Sequence, residues 1–166
     1  MPSILFVCTA NLYRSPLAAA FLRGKLKQLP GGGDYCINSA GTWTKIGTPI
    51  HSQTIIEAHR FNVDVSQHKS QQVTADLLAQ SDLVLVMEAG HKEAISLEFP
   101  QFKRKIHILS EVVDGIPYSI PDPFSAEGKH DRNISDELHA LVERGAVKIL
   151  SLAGKLHAHP PSQSVV

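Results

Sequence analysis

Short, unbroken apolar runs alternate along this chain with stretches whose apolar residues recur every three or four positions. The first run, Ile4-Leu5-Phe6-Val7, is brief and bulky, and predicts a strand buried on both faces. Leu17-Ala18-Ala19-Ala20-Phe21-Leu22 consists mostly of strong helix formers, and Leu29-Pro30-Gly31-Gly32-Gly33 stops the helix it predicts. A second strand is expected over Tyr35-Cys36-Ile37-Asn38-Ser39. Thr48-Pro49 opens a helical stretch through Arg60, with Ile55, Ile56 and His59 at turn spacing, and a short helix over Thr74 to Gln80 follows. Asp82-Leu83-Val84-Leu85-Val86-Met87 is the clearest buried strand. A helix from Ala89 to Leu97 and a short strand from Lys105 to Leu109 come next, then a turn-rich loop from Asp114 to Asn133. The last long helix starts near Ser135, with Leu138, Leu141, Val142, Gly145, Ile149 and Leu152 along one face.

Four strands interleaved with helices predict an α/β fold: a doubly wound, four-stranded parallel sheet with helices on both faces. A chain of 166 residues fits one domain. Residues 1–156 are expected to form it, with the Pro/Ser-rich stretch 157–166 as a flexible C-terminal tail. Ligands of such sheets gather at the carboxyl ends of the strands, which is where Cys8, Ser39 and Met87 fall.

Charge and composition exclude several classes of partner. Sixteen Lys+Arg against 16 Asp+Glu leave no basic field, so no nucleic-acid partner is expected. The N-terminus has neither a basic leader nor a long apolar segment, so no membrane partner is expected either. Two cysteines make no disulfide framework, and a cytoplasmic, monomeric protein is the expectation. The nine histidines contain no His-x3-His pair, so neither a metal nor a cofactor is expected.

The candidate chemistry lies between the first strand and the first helix, in Cys8-Thr9-Ala10-Asn11-Leu12-Tyr13-Arg14-Ser15-Pro16. Ser15-Pro16 reads as a helix cap followed by proline at the first helical position. The loop then rests on a helix N-terminus, where free N–H groups favour an anion. A lone strand-end cysteine is commonly a packed core residue. Beside a helix N-terminus and an arginine, however, a thiol ionises readily. Arg14 opposes the helix dipole unless a dianion is bound, and its planar fork suits two phosphate oxygens. The backbone N–H groups of residues 9 to 14 are expected to form an anion nest, with Asn11 at a position of positive φ. The Ser15 hydroxyl reads as a helix cap and can also donate to the Cys8 sulfur, stabilising the thiolate; the two roles are compatible.

Cys-x5-Arg-Ser-Pro directly after an N-terminal strand, with Asn11 inside the loop, resembles the low-molecular-weight protein tyrosine phosphatases. The resemblance covers nearly the whole chain. It implies a phosphocysteine on Cys8, with Arg14 and the loop residues Thr9, Ala10, Asn11, Leu12 and Tyr13 binding the substrate. It further implies that Asn11 is held by Ser39, from Ser39-Ala40-Gly41-Thr42, and by His68, from Ser66-Gln67-His68-Lys69. An Asp-Pro pair alone is usually a turn starter. Yet the loop lacks a proton donor, and the family carries its general acid in an Asp-Pro-aromatic motif, which here reads Asp122-Pro123-Phe124. Phe124 and Tyr13, with Trp43, are expected to wall a cleft around a phenyl ring. The chain departs from the family in four places. Tyr13 replaces a frequent second cysteine and Ala10 a frequent glycine. Lys69-Ser70-Gln71-Gln72 lacks a common arginine, and Phe124-Ser125 replaces a tyrosine pair.

The expected function is hydrolysis of a phosphotyrosine-containing protein substrate, with phosphate or a similar oxyanion held in the loop. Arsenate reduction stays open on this scaffold, although Cys36 is the one further cysteine. Protein-arginine phosphatase stays open too, although such enzymes tend to have threonine where Leu12 stands. A carrier that accepts a phosphoryl group without hydrolysing it is a further alternative, but it would need neither Arg14 nor Asp122.

Overall fold

The computed structural model describes residues 1–30, 32–125 and 134–162. Its elements run β1 (Ser3–Cys8), α1 (Arg14–Leu26), β2 (Cys36–Gly41), α2 (Ser52–Arg60), α3 (Ala75–Gln80), β3 (Leu83–Val86), α4 (Ala89–Glu98), β4 (Ile106–Ile108), α5 (Leu109–Asp114) and α6 (Ile134–Ala158). A 3-10 turn over Pro100–Lys105 joins α4 to β4. The four strands form one parallel sheet in the order β2-β1-β3-β4, so β1 lies inside it.

Alternation along β1 divides the core in two. Ile4, Phe6 and Cys8 face the layer that holds α1 and α6, whereas Leu5 and Val7 face Leu78, Ile95 and Phe102. β3 divides the same way, with Leu83 and Leu85 on one face and Val84 and Val86 on the other. Both strands are covered twice, which explains their unbroken apolar sequences. The chain is thus the doubly wound α/β domain its patterning predicts.

Several boundaries differ from expectation. The first helix starts at Arg14 rather than after Ser15, and its capping residue Tyr13 makes no side-chain cap hydrogen bond. Ser15 is not a cap because its hydroxyl is turned inward, toward the Cys8 sulfur. The second helix starts at Ser52, not Thr48. Residues 47–49 bridge instead to 69–70, and His51 Nδ1 caps the helix by accepting the Gln53 N–H at 3.2 Å. Leu109 opens the helix α5 rather than closing a strand. The last helix runs through Ala158, and His157, expected in a flexible tail, bonds Asp82 at 3.1 Å. The far part of the expected loop, 126–133, and the end of the expected tail, 163–166, lie outside the described residues. Among the described residues, no helix is long and apolar enough to cross a membrane.

Candidate active site

At the carboxyl end of β1 the chain passes from strand to helix within five residues, 9–13. Every carbonyl oxygen from Cys8 to Tyr13 accepts a hydrogen bond. Thr42 N–H donates to Cys8 O at 2.9 Å, Trp43 N–H to Thr9 O at 3.1 Å and Leu17 N–H to Tyr13 O at 3.1 Å. Three side chains complete the set: Thr44 Oγ1 to Ala10 O at 2.7 Å, His68 Nε2 to Asn11 O at 2.8 Å, and Thr54 Oγ1 to Leu12 O at 2.6 Å. A trans peptide unit with its oxygen drawn outward presents its N–H to the other side. Among the described residues, no protein acceptor takes the amides of residues 10–13. The surroundings therefore leave these amides free, in an arrangement able to cradle an anion.

Asn11 makes that curvature possible. Its φ is 58°, in the left-handed region that asparagine tolerates. Its side chain is buried and fully bonded: Nδ2 donates to Ser15 Oγ and Ser39 Oγ, both at 2.9 Å, and Oδ1 accepts Gln71 N–H at 2.9 Å. Ser39 and His68 thus both reach Asn11, the histidine through the backbone carbonyl. Burial holds His68 below the usual histidine range, so it stays neutral and donates from Nε2. Gly41 closes the arrangement, since a Cβ there would lie 2.3 Å from Thr9 O.

Cys8 Sγ lies 2.9 Å from Ser15 Oγ, which in turn is 3.2 Å from Ala40 O. Ser15 has one proton to give. With a thiolate it goes to sulfur; with a thiol, S–H can donate to Ser15 and Ser15 to Ala40. Arg14 is 3% exposed. Its NH1 donates to Glu88 Oε1 at 3.1 Å and to Ile120 O at 2.9 Å, and its NH2 lies 3.9 Å from Asp122 Oδ2. Asp122 is half-exposed, and its other oxygen accepts the Phe124 N–H at 2.9 Å.

Cys8, Arg14 and Asp122 line one small cleft with Ala10, Leu12, Tyr13, His51 and Phe124. Phe124 meets the Tyr13 ring edge-on at 5.6 Å and the His51 ring at 4.6 Å. Tyr13 is otherwise buried, and burial pushes its hydroxyl above the usual tyrosine range. Trp43, expected in the wall, is 81% exposed and does not line the cleft. His51, Thr54, Gln71, Glu88 and His91 all join the site or its support without a sequence motif to announce them. The spacing Glu88-x-x-His91 at a strand-to-helix junction was the one available signal. No cluster of three or more His, Cys, Asp or Glu able to hold a metal occurs among the described residues.

A cysteine and an arginine sharing a nest of inward amides, beneath an Asp-Pro-Phe loop on this sheet, define a class as well as a site. The chain belongs to the low molecular weight phosphotyrosine protein phosphatase family, whose model matches residues 3–155. Among individual relatives, it is 36% identical over 148 residues to a protein-arginine-phosphatase of Geobacillus stearothermophilus, covering 88% of this chain and 95% of the relative. It is 32% identical over 141 residues to the low molecular weight protein-tyrosine-phosphatase Ptp of Acinetobacter johnsonii, covering 85% and 90%. In three dimensions it is similar to the tyrosine phosphatase Wzb of Escherichia coli K30, solved in complex with sulphate, with a TM-score of 0.72 at 30% identity over 94% of this chain and 99% of that one.

Proposed function

We propose that this protein is a cysteine-dependent protein tyrosine phosphatase that hydrolyses phosphotyrosine through a phosphocysteine. The observation that carries the reading is the outward anchoring of all six carbonyls from Cys8 to Tyr13 around a buried thiol and a buried guanidinium. A phosphoryl group in the nest lies against sulfur, with Arg14 gripping its oxygens and following their charge into the transition state. The Cys8 thiolate attacks phosphorus, forming the S–P bond as the P–O bond to the phenol breaks. Asp122 protonates the departing phenolic oxygen. It then removes a proton from the water that attacks phosphorus, and the sulfur leaves as a thiolate stabilised by the Ser15 O–H. Every group named comes from one chain, so the chemistry needs no second subunit.

Phe124, Tyr13 and His51 give the cleft aromatic walls suited to the flat faces of a phenyl ring. The protein-arginine-phosphatase relative supports a second reading, in which the cleft takes phosphoarginine. Arsenate reduction is disfavoured. Cys36 is paired with Ser3 and Cys8 with Gly41, which separates the two cysteines by five steps of the sheet, roughly 16 Å.

The test is turnover on phosphotyrosyl and phosphoarginyl peptides side by side. Phosphotyrosine is expected to be hydrolysed faster, Cys8→Ser to be inactive, and Asp122→Ala to lose about 10²–10⁴-fold in kcat. Faster release from phosphoarginine would move the protein to the second reading. Normal turnover by Cys8→Ser would refute both.

A further inference from the structure

Arg14 is a long side chain that must present its planar fork to the loop, and nothing in Cys-x5-Arg explains what fixes its rotation. NH1 is committed to Glu88 Oε1 and Ile120 O, which leaves Nε and NH2 without a hydrogen bond among the described residues, NH2 lying 3.9 Å from Asp122 Oδ2. The Glu88 carboxylate is itself one-third exposed. His91, one turn further along α4, lies with Nε2 3.2 Å from that same Oε1 and 2.9 Å from Thr9 Oγ1. It is 5% exposed.

We infer that His91 is the positioning residue for the phosphate-binding arginine, tying Glu88 to Thr9 so that Arg14 is aimed into the loop before substrate arrives. This rests on the reading above that Arg14 grips the phosphoryl group. The proton assignment follows from the partners. With the proton on Nε2 the ring donates to Thr9 Oγ1, and Glu88 Oε1, which can only accept, lies 3.2 Å away on the same nitrogen. Nδ1 then carries the lone pair, and among the described residues it has no partner. Burial first, and the nearby Arg14 second, hold the ring down to about 4, so it works as a neutral donor. Charge on that ring would repel the guanidinium it has to help orient.

The inference demands a donor at the Nε2 position rather than a histidine as such. Glutamine places its amide nitrogen near Nε2, whereas asparagine reaches only the Nδ1 position. The experiment compares the wild type with His91→Ala, His91→Gln, His91→Asn and Thr9→Val. It reads the affinity for inorganic phosphate by calorimetry, and KM and kcat on an aryl phosphate. Misaiming Arg14 weakens at least one charge-assisted hydrogen bond, so His91→Ala and His91→Asn should bind phosphate on the order of tenfold more weakly, with KM rising in step. His91→Gln should recover most of that affinity, and Thr9→Val, which removes one of the two contacts, should fall between. Equal phosphate affinity in His91→Ala and wild type would overturn the inference, as would loss in His91→Gln matching that in His91→Asn. Should His91→Ala not fold, the Gln, Asn and Val variants carry the same comparison. A wild type that binds phosphate but releases none from any ester would instead count against the proposed function, since the calorimetric arm needs no turnover.

Discussion

Asn11 is the residue on which shape and chemistry meet. Its left-handed backbone bends the loop, and its amide holds Ser15, Ser39 and Gln71. The two contributions can be separated by mutation. Asn11→Gly keeps access to positive φ but loses the side-chain bonds, whereas Asn11→Ala loses both. We expect Asn11→Ala to be less stable than Asn11→Gly by about 1 kcal/mol in urea unfolding, from backbone strain alone. Both should turn over an aryl phosphate far more slowly than wild type, because Ser15 loses its anchor. Equal stabilities would show that the loop relaxes out of the left-handed region when the side chain is cut. Asn11 was legible as a positive-φ residue within the motif. Gln71 was not, because its backbone N–H makes the key bond and any residue type except proline could supply that.

At the scale of elements, legibility followed burial. β1 and β3 are covered on both faces, and unbroken apolar runs betray such strands. α5 went unread because six residues, Leu109–Asp114, are too few to show a period and two of them are valines. The start of α1 was misplaced for a chemical reason: Ser15 looks like a cap, but sulfur has claimed its hydroxyl. Glu88 and His91 belong to the site because β3 ends beside β1, a neighbour relation that local sequence does not contain. Packing between α5 and α6 offers a test at this level. Gly145 lets the two helices approach, since a Cβ there would lie 2.3 Å from Val113 Cγ2. Gly145→Ala is expected to cost about 1–3 kcal/mol by overpacking, despite alanine's better helix propensity. Adding Val113→Ala should recover part of the loss, and a double-mutant cycle showing simple additivity would contradict the contact.

The whole molecule should feel acid through its histidines. His68, His91 and His107 are all held below the usual range, each chiefly by burial. For a base, this means the unfolded chain binds more protons than the folded one below pH ~6.5. Stability is therefore full above that value and declines as pH falls, for His91 down to about 4. Integrated over that window, His91 alone corresponds to the order of 3 kcal/mol. Asp114, held at about 2 by Arg144 and Tyr118, stays ionised throughout. Urea unfolding at pH 7.5, 6 and 4.5 should show a plateau followed by a fall, flattened in His91→Gln. A stability independent of pH across that range would mean that these rings are not kept neutral by the fold.

The position of β1 inside the sheet has one more consequence, in the order of synthesis. Cys8 and Arg14 come before nearly all of their partners in sequence. The polar ties of the segment 8–15 that holds them reach to residues 39–44, 54, 68–71, 88–91 and 120–122. A chain is made from its N-terminus onward. The nascent protein thus carries the proposed nucleophile on a bare loop until residue 122 has been made. The thiol is the first part of the site to be made and the last to be enclosed.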